Sequence, residues 1–164
     1  MTVREINFTF GPKDVLEGLQ EKYPKRNLVL FRSVTDRNRY MLFDYSGQEN
    51  IFTAGLSYTL VRKIEFEENW DGFFEFRYLT LDNDEQKVFT AIMDKWEKKD
   101  RRPFGLNEVV VLRSENKNFE HVMINIWEDE ADFLDWSNTQ DNELKNFGHQ
   151  GNKGALVTEY ERIK

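Results

Sequence analysis

Cysteine is absent from this sequence, and histidine occurs only twice, as His121 and His149. Without thiols there is no disulfide, no zinc knuckle and no cysteine nucleophile, and two imidazoles leave little for a multi-histidine metal site. No apolar run approaches the roughly 18 residues of a membrane span, and no charged-then-apolar leader is readable, so the expected location is the cytoplasm. P-loop, GxGxxG, GxSxG and HExxH motifs are all missing, which leaves phosphoryl transfer, dinucleotide binding and serine hydrolysis without their minimum parts. Positive charge is also in short supply. With 23 Lys and Arg against 30 Asp and Glu, the net charge is −7, and no basic face for nonspecific nucleic-acid binding is expected.

What is present is an ordinary apolar share with an unusual aromatic one. The 164 residues suit one domain or two small subdomains, at 39% apolar and 32% charged. Aromatic residues make up 15%, with 14 phenylalanines, which predicts a dense core together with an apolar cavity or interface.

Residues 1–66 read as a small α/β unit. Ile6, Phe8 and Phe10 alternate as a strand, and Gly11-Pro12 leads into a helix over 14–21 with Val15, Leu16 and Leu19 as its apolar face. Segments 27–33 and 39–46 read as a hairpin turning at 36–38, while 58–66 fits either a strand or a short helix. The acidic stretch 67–72 is the expected connection to a second unit over 67–164.

That unit opens with the aromatic strand 73–81. Asp82-Asn83 then caps a helix, with Glu85 in its first turn, that is expected to run to about Arg102 with Val88, Phe89, Ile92, Met93 and Trp96 as one stripe. The cluster Lys98, Lys99, Arg101 and Arg102 reads as a solvated helix end complementing the dipole. Strands 107–115 and 120–128 should pair through the loop 116–118; a helix follows from about Glu130, then a second helical piece over 141–147 and a glycine-rich loop over 148–154, before the last strand at 155–163. The order β-α-β-β-α-β is the ferredoxin-like split βαβ arrangement. Its two helices cover one sheet face. Alternation on the strand 120–128 puts Val122, Ile124 and Ile126 on one face and His121, Met123, Asn125 and Trp127 on the opposite one, neither dominated by charge. The face left open therefore needs a second sheet from the N-terminal half or from another subunit, with a ligand cavity expected between them.

Three residue readings stay open at this level. Trp136 is either a core aromatic or a ligand-contacting ring, His149 a surface histidine or a metal ligand, and Arg77 the partner of Glu75 or of an acidic ligand.

The segment WEDEADFLDW at 127–136, with strand-ending Trp127 and helical Phe133 and Trp136, resembles the antibiotic biosynthesis monooxygenase (ABM) superfamily, in particular its heme-degrading monooxygenases of the Isd type. RYLTL at 77–81 and the Pro103-Phe104-Gly105 turn are similar too, and these motifs cover residues 73–163. Upstream, NLVLFRS, YMLFDYSGQE and YTLVRKIEF look like the N-terminal extension of the longer HmoB-type and TRAP-type branch. The resemblance implies an α+β, ferredoxin-like dimeric α/β barrel. In it, 67–164 is the ABM domain and 1–66 an α/β extension, and the barrel closes either within one chain as a pseudo-dimer or between two chains of a homodimer.

For function the resemblance implies a monooxygenase-like protein, heme-binding, heme-degrading or cofactor-independent; the alternative is a noncatalytic binding or stress and signalling module of the TRAP type. Heme-degrading members use an Asn on the first strand, a helical Trp, and an axial His about ten residues later. Trp136 matches the Trp; the Asn position falls on Arg77, or on Phe76 in the neighbouring register; the axial position falls on Asn146, with His149 three residues on. The resemblance thus nominates Trp136 and Arg77 as catalytic residues and Trp136, Asn146 and His149 as cofactor contacts. Heme is the implied cofactor, with His149 on its iron, and the implied partner is a small apolar or porphyrin-like ligand rather than nucleic acid or membrane.

Overall fold

Alternating apolar residues on eight strands build a closed barrel in the computed structural model, which describes residues 4–67, 70–117, 119–139 and 142–163. The elements in order are β1 (Glu5–Gly11), α1 (Lys13–Lys22), β2 (Leu28–Ser33), β3 (Tyr40–Asp44), β4 (Leu56–Ile64), β5 (Phe73–Thr80), α2 (Asn83–Trp96), β6 (Leu106–Ser114), β7 (Glu120–Trp127), α3 (Glu130–Ser137) and β8 (Leu156–Arg162). Around the barrel they run β1-β3-β2-β8-β5-β7-β6-β4, every pair antiparallel. The last four strands therefore lie in the order β8-β5-β7-β6, as the split βαβ pattern predicts, and the first four repeat that order as β4-β1-β3-β2. Seams β2–β8 and β4–β6 join the two sets within one chain, so the apolar face of β7 packs against the N-terminal strands.

Every strand points at least one apolar side chain into the barrel: Ile6 and Phe8, Phe31, Phe43, Tyr58, Phe76, Leu112, Ile124 and Tyr160 among them. The cavity expected between the sheets is instead filled by rings. Phe31 alone has the centroids of Phe74, Phe76, Trp70, Tyr160 and Phe43 at 4.8, 5.8, 6.0, 6.2 and 6.3 Å, within the range of favourable aromatic pairs. Two other clusters lie outside the barrel: Leu16 of α1 on Leu30 and Leu42, and α2 with α3 on Leu79, Val111, Met123 and Trp127.

Local chemistry sets the element ends. Asp82 and Glu85 form a reciprocal capping box, Glu85 N donating to Asp82 Oδ1 at 2.8 Å and Asp82 N to Glu85 Oε1 at 3.1 Å. α2 stops at Trp96, short of the expected Arg102, and a 3-10 turn covers Lys99–Arg101. The reason is Arg102. It is buried, its Nε donating to the Trp96 carbonyl at 2.8 Å and its Nη1 to Glu65 at 2.8 Å, so it caps the helix from inside instead of facing water as expected. Lys98, Lys99 and Arg101 are exposed as expected.

Other expectations need correction. Val88 and Val15 are 56% and 55% exposed and belong to neither helix's buried face. The segment 58–66, open between strand and helix from its sequence, is strand as far as Ile64, the end of β4. The helical piece expected over 141–147 is a run of turns over 142–147, with residue 141 outside the described residues; Asn142 Oδ1 accepts from Leu144 N at 3.0 Å, the local bond by which Asn competes with helix. Gly72, at φ 121, is required where β5 begins, since a Cβ there would run into the Trp127 carbonyl. No helix among the described residues is long and apolar enough to cross a membrane.

The buried phenols give the barrel a pH limit. Burial, and secondarily Glu120, push the Tyr58 hydroxyl up to about 12, and burial raises Tyr78 and Tyr160 as well. Because the folded pKa exceeds the unfolded value of about 10, the folded state binds more protons between them, and stability falls as pH rises through that window. Tyrosinate absorbance and circular dichroism followed together from neutral pH upward should show unfolding above about pH 10, with these tyrosines ionising as the barrel opens.

Candidate functional site

On β5 the residues alternate, so Glu75 and Arg77 leave the barrel interior and share the outer face that α3 covers. Register places Glu75 opposite Asn125 of β7 and Phe73 opposite Trp127. The Glu75 carboxylate is fully buried and accepts three bonds: from Asn125 Nδ2 at 3.0 Å and Trp127 Nε1 at 3.0 Å on Oε1, and from Arg77 Nε at 2.7 Å on Oε2. Of the two sequence readings of Arg77, the ion pair with Glu75 is the one formed. It leaves a neutral pair, with the hydrogen bonding of Arg77 to described residues going through Nε alone.

The guanidinium lies over the Trp136 ring at 5.2 Å, a cation–π contact. Trp136 in turn meets Trp127 at 5.3 Å and Trp96 at 6.1 Å. The Asp129 cap, accepting from Asp132 N at 3.0 Å, starts α3 so that Phe133 and Trp136 point down onto the sheet. Two polar atoms in this cluster are buried with no partner among the described residues: the acceptor Asn125 Oδ1 and the donor Trp136 Nε1. Native structures rarely leave such atoms unpaired without a ligand, an ion or water to meet them.

Glu159 of β8 stands opposite Glu75 across the β5–β8 ladder. Burial first, then the charges of Glu130 and Glu75, raise its carboxyl above the usual carboxylate range. Asn125, Trp127 and Glu159 were missed as site residues by sequence reasoning. The available signal was that strand alternation puts 75 with 77 and 125 with 127; only the register shows that the two pairs share one face and meet.

The nominated residues divide into two groups. Arg77 and Trp136 come together. Asn146 and His149 share a different depression, of about 600 Å³, with Thr80, Glu85 and Gly148, and Asn146 is exposed there. Trp136 lines a depression of about 430 Å³ with Lys95, Arg102, Pro103 and Glu143, which has no wall in common with it. His149 Nε2 lies 3.6 Å from Glu120 Oε2, and its ring meets Tyr78 edge-on at 6.2 Å. A heme would need its axial imidazole and the tryptophan on one cleft. Here the two border separate depressions with no lining residue in common, and the residues present do not fit a His149-ligated heme. His121 is buried too, its Nδ1 3.0 Å from the Phe119 carbonyl, and burial lowers its pKa. No metal-holding group of three or more acidic or imidazole side chains occurs among the described residues.

No family model matches the sequence. Solved structures do match, over nearly the whole chain. A ferredoxin-fold protein related to antibiotic biosynthesis monooxygenases, from Listeria monocytogenes, has TM-score 0.77 and 20% identity, covering 100% of this chain and 96% of its own. A heme-degrading enzyme from Listeria monocytogenes has TM-score 0.72 and 18% identity over 98% of this chain and 100% of its own. A major regulator of staphylococcal pathogenesis has TM-score 0.73 and 14% identity over 98% and 100%. The structural neighbours of this chain are thus ABM-fold, monooxygenase-like proteins, and at these identities the likeness is one of fold.

Proposed function

We propose that this chain is a monooxygenase-like protein that binds a planar hydroxylated aromatic compound beneath α3, without heme. The observation that carries this reading is the orphaned pair Asn125 Oδ1 and Trp136 Nε1 in a buried aromatic cluster. A ring laid on Trp136 would offer a hydroxyl to the first and a carbonyl oxygen to the second, and Arg77 would polarise the bound ring. Glu159, held protonated more readily than an ordinary carboxylate, is the group we assign to proton exchange. We read residues 1–66 and 67–164 as standing in for the two protomers of a dimeric barrel, which the repeated strand order supports.

A second reading, the noncatalytic binding or signalling module, is favoured by the packing: the barrel interior and the space under α3 are both filled. One set of titrations separates these. With a hydroxyanthraquinone as probe, the indole N–H resonance of Trp136 and the side-chain amide of Asn125 should shift saturably, and Trp136→Phe should weaken binding roughly tenfold. Absence of any shift would reject the aromatic site; binding of an oxidisable hydroxyaromatic without dioxygen uptake would favour the noncatalytic module. With hemin, wild type and His149→Ala should give the same Soret spectrum. A Soret shift lost in that variant would restore the heme reading.

A further inference from the structure

At the end of the barrel where β4, β5, β6 and β8 approach one another lies a cavity of about 310 Å³, separate from the cluster beneath α3. Its apolar wall is formed by Leu56, Tyr58, Tyr78 and Leu156. Tyr58 and Tyr78 reach it from the barrel interior, and Leu56 and Leu156 border it, 43% and 51% exposed. The rest of the lining is mostly polar, and includes Asn116, Lys117 and Gln150 as well as the edge formed by Glu120 with His149.

This edge is held in place by a chain of bonds. Thr80 N donates to the Gly148 carbonyl at 2.9 Å, Gln150 N donates to Thr80 Oγ1 at 2.8 Å, and Thr80 Oγ1 donates to Glu120 Oε1 at 3.0 Å. His149 and Asn152 exchange both backbone bonds, at 3.2 and 2.9 Å. Within this turn Gln150 sits at φ 49, a left-handed conformation that costs a non-glycine residue about 1–2 kcal/mol. A Cβ on Gly148 would run into the Asn152 carbonyl oxygen. Strain held at a defined place beside a cavity is the pattern of a positioned functional group.

Size, lining and charge narrow the occupant. The volume is at the bottom of the roughly 300–1,000 Å³ range of small-molecule sites, so the ligand is a single ring or little more. Glu120 and Lys117 both border the cavity, so an ion of either sign would be drawn to one and repelled by the other. Burial keeps the Tyr58 and Tyr78 hydroxyls protonated well beyond neutral pH, leaving Glu120 as the strong acceptor.

We propose that this cavity is a second ligand site, taking a small neutral ring compound with one hydroxyl, whose ring lies against Tyr58, Tyr78 and Leu156 and whose hydroxyl donates to Glu120. The test is an NMR titration of the full chain with para-cresol, reading the ring signals of Tyr58 and Tyr78. Both should shift saturably, toluene should bind roughly tenfold more weakly, and Leu156→Trp, which fills the half-exposed rim, should weaken cresol binding at least as much. Trp136→Phe should leave these shifts unchanged, which separates this site from the one beneath α3. No shift, equal binding of toluene and cresol, or shifts unaltered in a folded Leu156→Trp would each overturn the proposal. The toluene comparison on wild type decides it if that variant does not fold.

Discussion

Glu75→Ala lowers stability by about 3–5 kcal/mol, the range for removing one partner of a buried ion pair. Glu75 is the common acceptor for Arg77, Asn125 and Trp127, so its loss leaves one cation and two neutral donors buried without their acceptor. In a chain of this size the melting temperature should fall by about 10 °C. Glu75→Gln keeps an acceptor for Asn125 or Trp127 but not the charge, and should fall between wild type and Ala. A Glu75→Ala, Arg77→Met double variant should recover part of the loss, since removing both charges relieves the uncompensated one. Thermal melts of the four proteins check this, and equal stability of Glu75→Ala and wild type would mean that the cluster is solvated.

Phe31→Ala should cost about 3–5 kcal/mol, the range for deleting a core aromatic ring. The location makes the experiment informative beyond its size. Phe31 belongs to β2, yet its nearest ring is Phe74 of β5, at 4.8 Å, with Phe76 and Tyr160 also in contact. A double-mutant cycle with Phe74→Ala should return a coupling of about 0.5–1.5 kcal/mol. Denaturant unfolding of each variant should remain one transition, because the barrel interior belongs to both halves of the chain. Two separated transitions would mean that the strands of each half form a core of their own.

Much of the fold was legible before any coordinates. The β-α-β-β-α-β order, the capped helix after Asp82 and the division of β7 into two apolar faces all follow from periodicities of 2 and 3.6 and from cap chemistry, which act within a few residues. The misreadings sit where a distant partner outweighs local preference. Arg102 has the sequence context of a solvated helix end, but the Trp96 carbonyl and Glu65 draw it inside. The turns over 142–147 have helix-compatible residues, yet Leu144 and Phe147 are buried by packing against the outer face of the sheet while Asn146 turns to water.

The site divides along the same line. Sequence by itself determined that a tryptophan-bearing helix follows β7, that Glu75 and Arg77 share a face, and that thiol and multi-histidine chemistry are out of reach. Only the tertiary structure decided that Asn125 and Trp127 complete the Glu75 cluster, that His149 is held beside Tyr78 and Glu120 instead of Trp136, and that the two sets of strands close one barrel around a packed aromatic interior. The physical reason is range. Strand alternation and helix capping are fixed by neighbours in the chain, whereas the meeting of β5 with β7, and of β2 with β8, depends on ladder register between segments about 50 and about 130 residues apart, a choice made by the packing of both faces at once.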